Sequence, residues 1–530
     1  MTDDRPDQGQ EANLPDGYDV QVRRLIEAGQ DDEAARFCFK GITLCGDRVG
    51  LLEPLAEIFY RKGDLTRAAD YLNRLCRLEP TVASRWMQLG TVLGAADRSR
   101  EAVVALERAY DLDRTLAAAG VNLGITLVKL QRHVEAVGVL DDIASAEPPE
   151  PTANLWLGHA LQALDRLQEA VVAYERVLED PAMAPLAWMP LGVVFRGLGQ
   201  LEQSNRWFNE VLTHQPDQPM ARFALAQNQL MAGDFPSGFT NYEARWDRPG
   251  NERPRLSSPE WQGEDLSGKT ILIDDEQGFG DCIQFCRLLA ALKPLAAQVA
   301  FRPRKKLRAL LGCLQAVDHF VDEGSECDQD FHLPLLSLPN RLGLKQSDLT
   351  GEAYLTADPA LVRRWGERLE MLSGGRPMVG LVWQGDPNSQ SEQGRSVPFP
   401  ALLPLFEQKE FLFLLLQKQH GRDDVQAALL PDNVVDLADE LDLGANAFTD
   451  TAAVMTHLTC MISSDTAPAH LAGALGVQGC ILLKEVPEWR WMLQGDQSPW
   501  YGSLRLFRQQ TRGDWDAPVQ AVGAYLKELV

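Results

Sequence analysis

The chain has 530 residues, of which 45% are hydrophobic and 24% charged, and its formal net charge is -24. This length exceeds one ordinary core, so about two to four domains are expected, and the composition is globular rather than disordered. The acidic balance is similar in both halves and disfavours nucleic acid and anionic lipid as partners.

The cysteines and the apolar runs bear on the compartment. The nine cysteines are irregularly spaced with no CxxC pair, which is typical of free thiols in a reducing compartment. The polar, acidic N-terminal segment is unlike a signal peptide, and no apolar run approaches the roughly 18 residues that cross a bilayer. We therefore expect a cytoplasmic protein without a membrane span.

A 34-residue period runs through residues 15–250 and predicts tetratricopeptide repeats. Repeats start at 49, 83, 117, 151, 185 and 219, and a weaker copy near 15 would follow a disordered tail at 1–14. A leucine and a small residue recur at the seventh and eighth positions: Leu55-Ala56, Leu89-Gly90, Leu123-Gly124, Leu157-Gly158, Leu191-Gly192 and Leu225-Ala226. Prolines close some repeats, namely Pro80, Pro148 and Pro216. The small residues would let paired helices approach closely.

The concave face of such an array is where an extended peptide or a partner protein binds. Polar residues expected on that face are Asn122, Asn154, Arg196 and Asn228. The repeats therefore predict a protein partner.

The second half alternates short apolar runs with helical patterns. A stretch rich in Pro, Gly and Ser at 251–268 predicts a linker, and two α/β lobes are expected at 269–375 and 376–530. Strands are predicted at 270–273, 298–301, 319–321, 331–335, 378–383, 411–416, 460–463, 479–483 and 504–507. Helices are predicted at 358–372, 398–407, 449–457, 466–476 and 515–528. In parallel sheets, ligands bind at the carboxyl ends of the strands.

The first strand of this half runs into a glycine turn and a helix. Gly278 and Gly280 form the turn, and Asp281 lies at its junction with the helix. Backbone N–H groups and the helix dipole converge at such a point and favour a ligand. The glycine spacing matches neither GxGxxG nor GxxxxGK[ST], so an ordinary turn between strand and helix is the alternative.

A second constellation spans residues 460–477. A buried strand ends at Ser463-Ser464-Asp465, and a helix rich in small residues starts near Thr466 and Ala467. We expect Asp465 to cap this helix and His470 to face the same side one turn later. Backbone N–H groups plus an imidazole would suit a diphosphate. The alternative is a simple helix cap beside a surface histidine.

Four segments carry a resemblance to a known family. They are EQGFGDCIQF at 276–285, VGLVWQGDPN…GRSVPF at 379–399, SSDTAPAHLAGALG at 463–476 and EWRWMLQGDQSPWYGSLRLFRQ at 488–509. In this order they resemble glycosyltransferase family 9, the heptosyltransferase-like group, and more closely the bacterial proteins in which that domain follows tetratricopeptide repeats. The resemblance covers about residues 15–528. It implies a helical repeat solenoid followed by an α/β GT-B fold of two Rossmann-like lobes.

The resemblance also implies roles for individual residues. Asp281 would be the general base on the acceptor hydroxyl, with Gly278 and Gly280 forming its turn. Residues implied in donor binding are Arg395, Lys418, Asp465, Thr466, Ala467, His470, Trp489 and Arg490. Trp491 would shape the donor pocket together with Trp489 and Arg490, although both tryptophans could simply be core. Transfer would invert the anomeric centre and need neither metal nor cofactor. The loop 386–394 lacks the histidine and the Asn-Asp pair expected in relatives, which leaves the donor and acceptor open.

The predicted function is transfer of a hexosyl, heptosyl or nonulosonyl group from a nucleotide sugar to a hydroxyl of a protein acceptor. Flagellin is one candidate acceptor, by analogy with bacterial flagellin glycosyltransferases, and the repeats would recruit it. Two alternatives stand beside this prediction. The acceptor could be lipid-linked or a polysaccharide, or the chain could be a non-catalytic scaffold whose transferase fold has decayed.

Overall fold

The computed structural model describes residues 18–146, 150–254, 256–325, 327–388 and 392–530. The chain divides into two compact units between Trp207 and Phe208. The predicted tail at 1–14 and the repeat-closing Pro148 lie outside the described residues. The predicted domain limits themselves stay predictions.

The first unit is built from successive helix pairs. Its helices are α1 (Tyr18–Glu27), α2 (Asp31–Cys45), α3 (Val49–Arg61), α4 (Leu65–Leu78), α5 (Ala83–Ala95), α6 (Ser99–Leu112), α7 (Ala117–Lys129), α8 (His133–Ala144), α9 (Pro151–Ala163), α10 (Leu167–Val177), α11 (Ala184–Gly197) and α12 (Leu201–His214), the last of which crosses the division. Helices α3, α5, α7 and α9 begin at the predicted repeat starts, and α11 begins one residue early. The 34-residue period is therefore confirmed as a period of helix pairs.

Small residues set the distance between the paired helices, as predicted. A Cβ atom added at Gly124 would lie 2.4 Å from Cγ of Leu140, and one added at Gly158 would lie 2.4 Å from Cε1 of Tyr174. Both distances are far inside van der Waals contact, so only glycine fits between these helices. A continuous buried core of Leu, Ala and aromatic side chains runs from Val22 to Val194.

We expect Gly158→Ala to destabilise the repeats. The new methyl group would overlap the buried ring of Tyr174, whose hydroxyl lies 2.9 Å from both His159 and Gln162, and such overpacking costs about 1–3 kcal/mol. The matched control is Gly138→Ala in α8, where the added Cβ has open space and should stabilise by about 0.5–1 kcal/mol. Urea unfolding measures both, and equal effects would contradict the packing argument.

The second unit contains the last predicted repeat and the α/β region. Its helices are α13 (Pro219–Met231), α14 (Phe235–Tyr242), α15 (Phe279–Phe285), α16 (Leu289–Leu292), α17 (Leu338–Leu342), α18 (Pro359–Ser373), α19 (Phe399–Leu402), α20 (Asp423–Ala427), α21 (Thr449–Met455), α22 (Ala467–Leu475) and α23 (Asp516–Glu528). Its strands are β1 (Thr270–Asp274), β2 (Gln298–Arg302), β3 (His319–Phe320), β4 (Phe331–Pro334), β5 (Met378–Val382), β6 (Leu412–Leu415), β7 (Val434–Asp436), β8 (Cys460–Ser464), β9 (Gly479–Leu483) and β10 (Leu504–Arg508).

The strands form two parallel sheets. The first has the order β3-β2-β1-β4 and the second the order β10-β9-β8-β5-β6-β7. Every named pairing in both sheets is parallel. The predicted fold class, helical repeats followed by two Rossmann-like α/β lobes, is confirmed. In each lobe the carboxyl ends of the strands share one edge, and the candidate site lies there.

The structure differs from the sequence-based prediction at β7 and at residues 398–407. Strand β7 was not predicted, because Val434–Asp436 is only three residues long and gives almost no periodic signal. The helix predicted at 398–407 breaks into α19 and a 3-10 segment, Leu403–Glu407. Pro404 lacks the N–H group that a continuous α-helix needs, which accounts for the change.

Candidate functional site

The glycine turn between β1 and α15 places Asp281 at the start of the helix. Gly278 is the N-cap of α15, and its N–H donates to Oδ2 of Asp281 at 2.8 Å. Gln277, just before, has a φ of +63°, the left-handed region that non-glycine residues seldom adopt. The Asp281 carboxylate is therefore hydrogen-bonded within the turn that follows β1, and this bond fixes its position relative to the end of that strand.

The corresponding junction in the second lobe differs from its prediction. Strand β8 runs one residue further than expected, to Ser464, and the N-cap of α22 is Thr466. The Thr466 side chain makes no capping bond and instead lies 3.2 Å from Oγ of Ser463. The prediction that Asp465 caps this helix is wrong, because the longer strand leaves Asp465 ahead of the cap position.

The two junctions meet across the lobes. A Cβ atom added at Gly280 would lie 3.0 Å from Cδ2 of His470 and 3.6 Å from Cα of Ala467. The first-lobe turn and the N-terminal part of α22 are thus in direct contact, and a side chain at position 280 would separate them. This contact brings together Gly280, Asp281, Ala467 and His470.

Arg490 lies at the centre of this contact. Its guanidinium forms an ion pair with Oδ1 of Asp281 and a second one, at 2.8 Å, with Glu488, and its Nε donates to Gln284 at 2.9 Å. Burial alone would lower the pKa of Arg490, but the carboxylates of Asp281 and Glu488 outweigh it and hold the pKa well above its usual value. Arg490, predicted to bind the donor, therefore contacts the predicted base.

His470 is buried in the second lobe beside this ion pair. Its Nδ1 lies 3.1 Å from the hydroxyl of Tyr501, and its ring stacks on Trp491 with 5.1 Å between centroids. Burial, with a smaller contribution from Arg490 and other nearby arginines, lowers the pKa of His470 to about 3. The imidazole is therefore neutral near pH 7 and acts as a hydrogen-bonding group rather than as a cation.

Three other predicted donor residues have different surroundings. Arg395 pairs with Glu392 at 3.0 Å and contributes to the lowered pKa of His470. Lys418 is exposed and donates to the carbonyl oxygens of Leu441 and Asp442 in the loop after β7, the latter at 3.1 Å. Trp489 is 1% exposed, and the Arg490 guanidinium lies 4.3 Å from its ring centroid. Trp489 is thus a core residue that supports Arg490.

Sequence reasoning missed the residues that hold the predicted ones. They are Gln284, Glu488 and Tyr501, which contact Arg490 or His470. The available signal was the motif EWRW, in which charged residues alternate with tryptophans. A charge between large apolar residues indicates a buried pair.

For two residues, the prediction that they lie on the concave face is wrong. Asn154 is fully buried, and its Nδ2 donates to the carbonyl oxygens of Ala144 at 3.3 Å and Glu150 at 3.2 Å. Asn228 is fully buried as well. Asn122, by contrast, is half-buried and donates to Oγ1 of Thr91, on the preceding repeat, at 3.0 Å. Of the four expected residues, Asn122 and Arg196 are partly exposed and are accessible to a bound peptide.

Asp275 follows β1 and should make stability depend on pH. Its carboxyl accepts from the backbone N–H of Arg304 at 3.2 Å, and burial raises its pKa to about 6. The pKa of Asp275 in the folded protein exceeds its ordinary value of 3.8, so the folded state binds the proton more tightly than the unfolded state does. The free energy of unfolding therefore falls as the pH rises from about 4 through 6, and it is unaffected by this group below pH 4.

Asp275→Asn is therefore expected to raise stability at pH 7.5 by up to about 2–3 kcal/mol and to change it little at pH 4. Thermal unfolding of both proteins across this range measures the difference. A gain that is the same at both pH values would contradict the titration of Asp275.

In the described ranges of the chain, no helix combines the length and the apolar character needed to traverse a membrane.

Comparison with known proteins gives matches in both halves. The model of the family described as tetratricopeptide repeat matches residues 155–219. Protein FlbA from Caulobacter vibrioides is 26% identical over 348 residues, which cover 59% of this chain and 56% of FlbA. The chain thus spans about half the length of this curated relative.

Two solved structures are similar to parts of the chain. MamA from Desulfovibrio magneticus is 22% identical, with a TM-score of 0.31, over 33% of this chain and 98% of MamA. A glycosyltransferase family 9 protein from Veillonella parvula is 11% identical, with a TM-score of 0.39, over 50% of this chain and 99% of that protein. The segment that matches the repeat family falls on the helix pairs from α9 to α12.

Proposed function

We propose that this protein is a glycosyltransferase that moves a sugar from a nucleotide sugar to a hydroxyl group of a protein acceptor, with inversion at the anomeric carbon. The observation that carries the proposal is the contact between Gly280 of the first lobe and Ala467 and His470 of the second. It sets a carboxylate, Asp281, beside a helix N-terminus at the carboxyl ends of two parallel sheets. The motif resemblance to family 9 points to the same chemistry.

In the proposed reaction, Asp281 takes the proton of the acceptor hydroxyl. The acceptor oxygen forms a bond to the anomeric carbon, the bond from that carbon to the diphosphate breaks, and its electron pair leaves with the diphosphate. A carboxylate in reach of the hydroxyl is suited to this role because the attacking oxygen loses its proton as the bond forms. Arg490, on Oδ1, would hold the carboxylate in place.

The leaving diphosphate would be received by the second lobe. The first backbone N–H groups of α22 have no partner within the helix, and the helix dipole favours an anion there. When the Tyr501 hydroxyl donates to Nδ1 of His470, Nε2 carries the ring proton and is a donor. Arg395 would supply positive charge. Such preorganised donors stabilise charge that develops in the transition state.

The repeats would recruit the acceptor, and flagellin is one candidate. We place the reaction in the cytoplasm and expect it to need no metal ion. Helix pairs of this kind present an extended concave surface, which favours a protein acceptor over a lipid-linked or polysaccharide one. Mass spectrometry of proteins that copurify with residues 1–200 would identify the acceptor.

The test is donor turnover. The full-length protein is incubated with UDP-, GDP-, ADP- and CMP-sugars, with and without the copurified acceptor, and with and without EDTA. Release of the nucleotide together with a mass increase on the acceptor is expected for one donor, unchanged by EDTA. If no nucleotide sugar is bound or cleaved, the enzyme proposal fails and the non-catalytic scaffold stands.

A further inference from the structure

The helix α14 and the 3-10 segment after it, Glu243–Asp247, contact the residues that lead into Asp281. We propose that Tyr242 and Arg245, supplied by the last helical repeat, are positioning residues that fix the Asp281 carboxylate. The catalytic part of this inference rests on the proposed role of Asp281 as the base. The positional part rests on the contacts alone.

Arg245 holds the first residue of the turn. Its Nε and one terminal nitrogen donate to both carboxylate oxygens of Glu276, at 3.0 and 2.8 Å. The same guanidinium donates to Glu243 at 2.8 Å and to Ser337 at 2.7 Å. Arg245 is 2% exposed, so this paired geometry is fully desolvated. A bidentate, buried pair of this kind fixes orientation more strictly than a surface ion pair.

Tyr242 holds the second residue of the turn. Its hydroxyl donates to the side-chain oxygen of Gln277 at 3.3 Å. Gln277 has the left-handed φ of +63°, a conformation that persists in a non-glycine residue only when neighbours enforce it. The next residue, Gly278, donates directly to Asp281. Glu276 and Gln277, the first two residues of the turn, are therefore bound by Arg245 and Tyr242. Neither of these two partners belongs to the sheet of the first lobe.

The same helix also supports the other partner of Asp281. The ring of Tyr242 lies edge-on to Trp489, with 6.0 Å between centroids, and Phe239 of α14 does the same at 5.9 Å. Trp489 in turn carries Arg490 against its face. Oδ2 of Asp281 accepts a hydrogen bond from Gly278 in the turn, and Oδ1 forms the ion pair with Arg490. The partners of both oxygens are therefore packed against α14 and the segment that follows it.

If the hairpin formed by α13 and α14 served only to dock against the α/β region, the aromatic contacts alone would be enough. The polar atoms of Tyr242 and Arg245, however, are directed at Glu276 and Gln277 in the turn. Removing the hydroxyl alone leaves the ring packing intact and isolates this effect. Tyr242→Phe is therefore the first test variant. Arg245→Lys is the second, because lysine keeps the positive charge but cannot make the bidentate contact with Glu276.

The reporter is Cys282, the residue after Asp281, whose side chain is completely buried. Full-length proteins are treated with N-ethylmaleimide under native conditions, and labelling is located by peptide mass spectrometry. We expect Cys282 to react roughly three- to tenfold faster in Tyr242→Phe, the range that loss of one net hydrogen bond gives, and faster still in Arg245→Lys. Cys460, buried in β8, should keep its rate.

The control is Tyr174→Phe in α10, which removes the hydroxyl of another buried tyrosine and should leave Cys282 labelling unchanged. With the donor found by turnover, both test variants should lower kcat and leave the donor KM unchanged. Equal Cys282 rates in all proteins, or a parallel rise at Cys460, would overturn the inference. Labelling needs no donor, so it decides the positioning even if no nucleotide sugar is turned over.

Discussion

Asp281→Asn is expected to remove nearly all transfer activity while leaving donor affinity almost unchanged. Asparagine keeps the shape of the side chain and an oxygen that can accept from Gly278, but it cannot take a proton from the acceptor. Loss of general-base catalysis corresponds to a fall in kcat of about 10²–10⁴-fold. The donor contacts proposed at Ala467 and His470 lie on the other lobe and are not altered. Kinetics and equilibrium binding of the same donor measure the two effects separately.

The matched control for this variant is Asp348→Asn. Asp348 accepts from the backbone N–H of Lys345 at 2.8 Å, the same capping geometry three residues apart, in the same lobe but on an exposed 3-10 turn. Its loss should change activity little. If Asp281→Asn weakened donor binding as much as transfer, or if both variants lost activity equally, Asp281 would be a structural residue and not the base.

Local patterns in the sequence predicted most of the fold. The repeat starts at 49, 83, 117 and 151 coincide with the first residues of helices, because the 34-residue period is repeated several times and errors at one repeat are corrected by the next. Strands such as β1 and β9 were predicted within one residue, since buried parallel strands are short apolar runs.

The surroundings of the site were beyond such patterns. The ion pair between Asp281 and Arg490 joins residues 209 positions apart, and no local signal links them. Burial likewise decides that His470 is neutral, and burial depends on Trp491 and Tyr501 from a later segment. For Asn154 the sequence placed the side chain on the wrong face of its helix. Adjacent positions on a helix point about 100° apart, so a residue assigned to the exposed face can lie inside.

Deletion of residues 1–250 is expected to prevent the α/β region from folding, although the sequence alone suggested a boundary there. The cut removes α13, α14 and Arg245. Glu276 would lose the two hydrogen bonds that Arg245 donates to it, and bonds to a charged group contribute about 1.5–3 kcal/mol each. The rings of Phe285, Trp489 and Trp500, each at most 1% exposed in the whole unit, would lose Phe235 and Phe239 as neighbours.

Domains are stable by only about 5–15 kcal/mol, so these losses together approach the whole stability. Deletion of residues 1–200 instead keeps α12, the last hairpin and Arg245, and this protein should fold, bind the donor and fail to modify the protein acceptor. Sedimentation, thermal unfolding and donor binding compare the two deletions. A folded, donor-binding protein lacking residues 1–250 would show that the hairpin is dispensable. Full acceptor modification without residues 1–200 would show that the repeats do not recruit it.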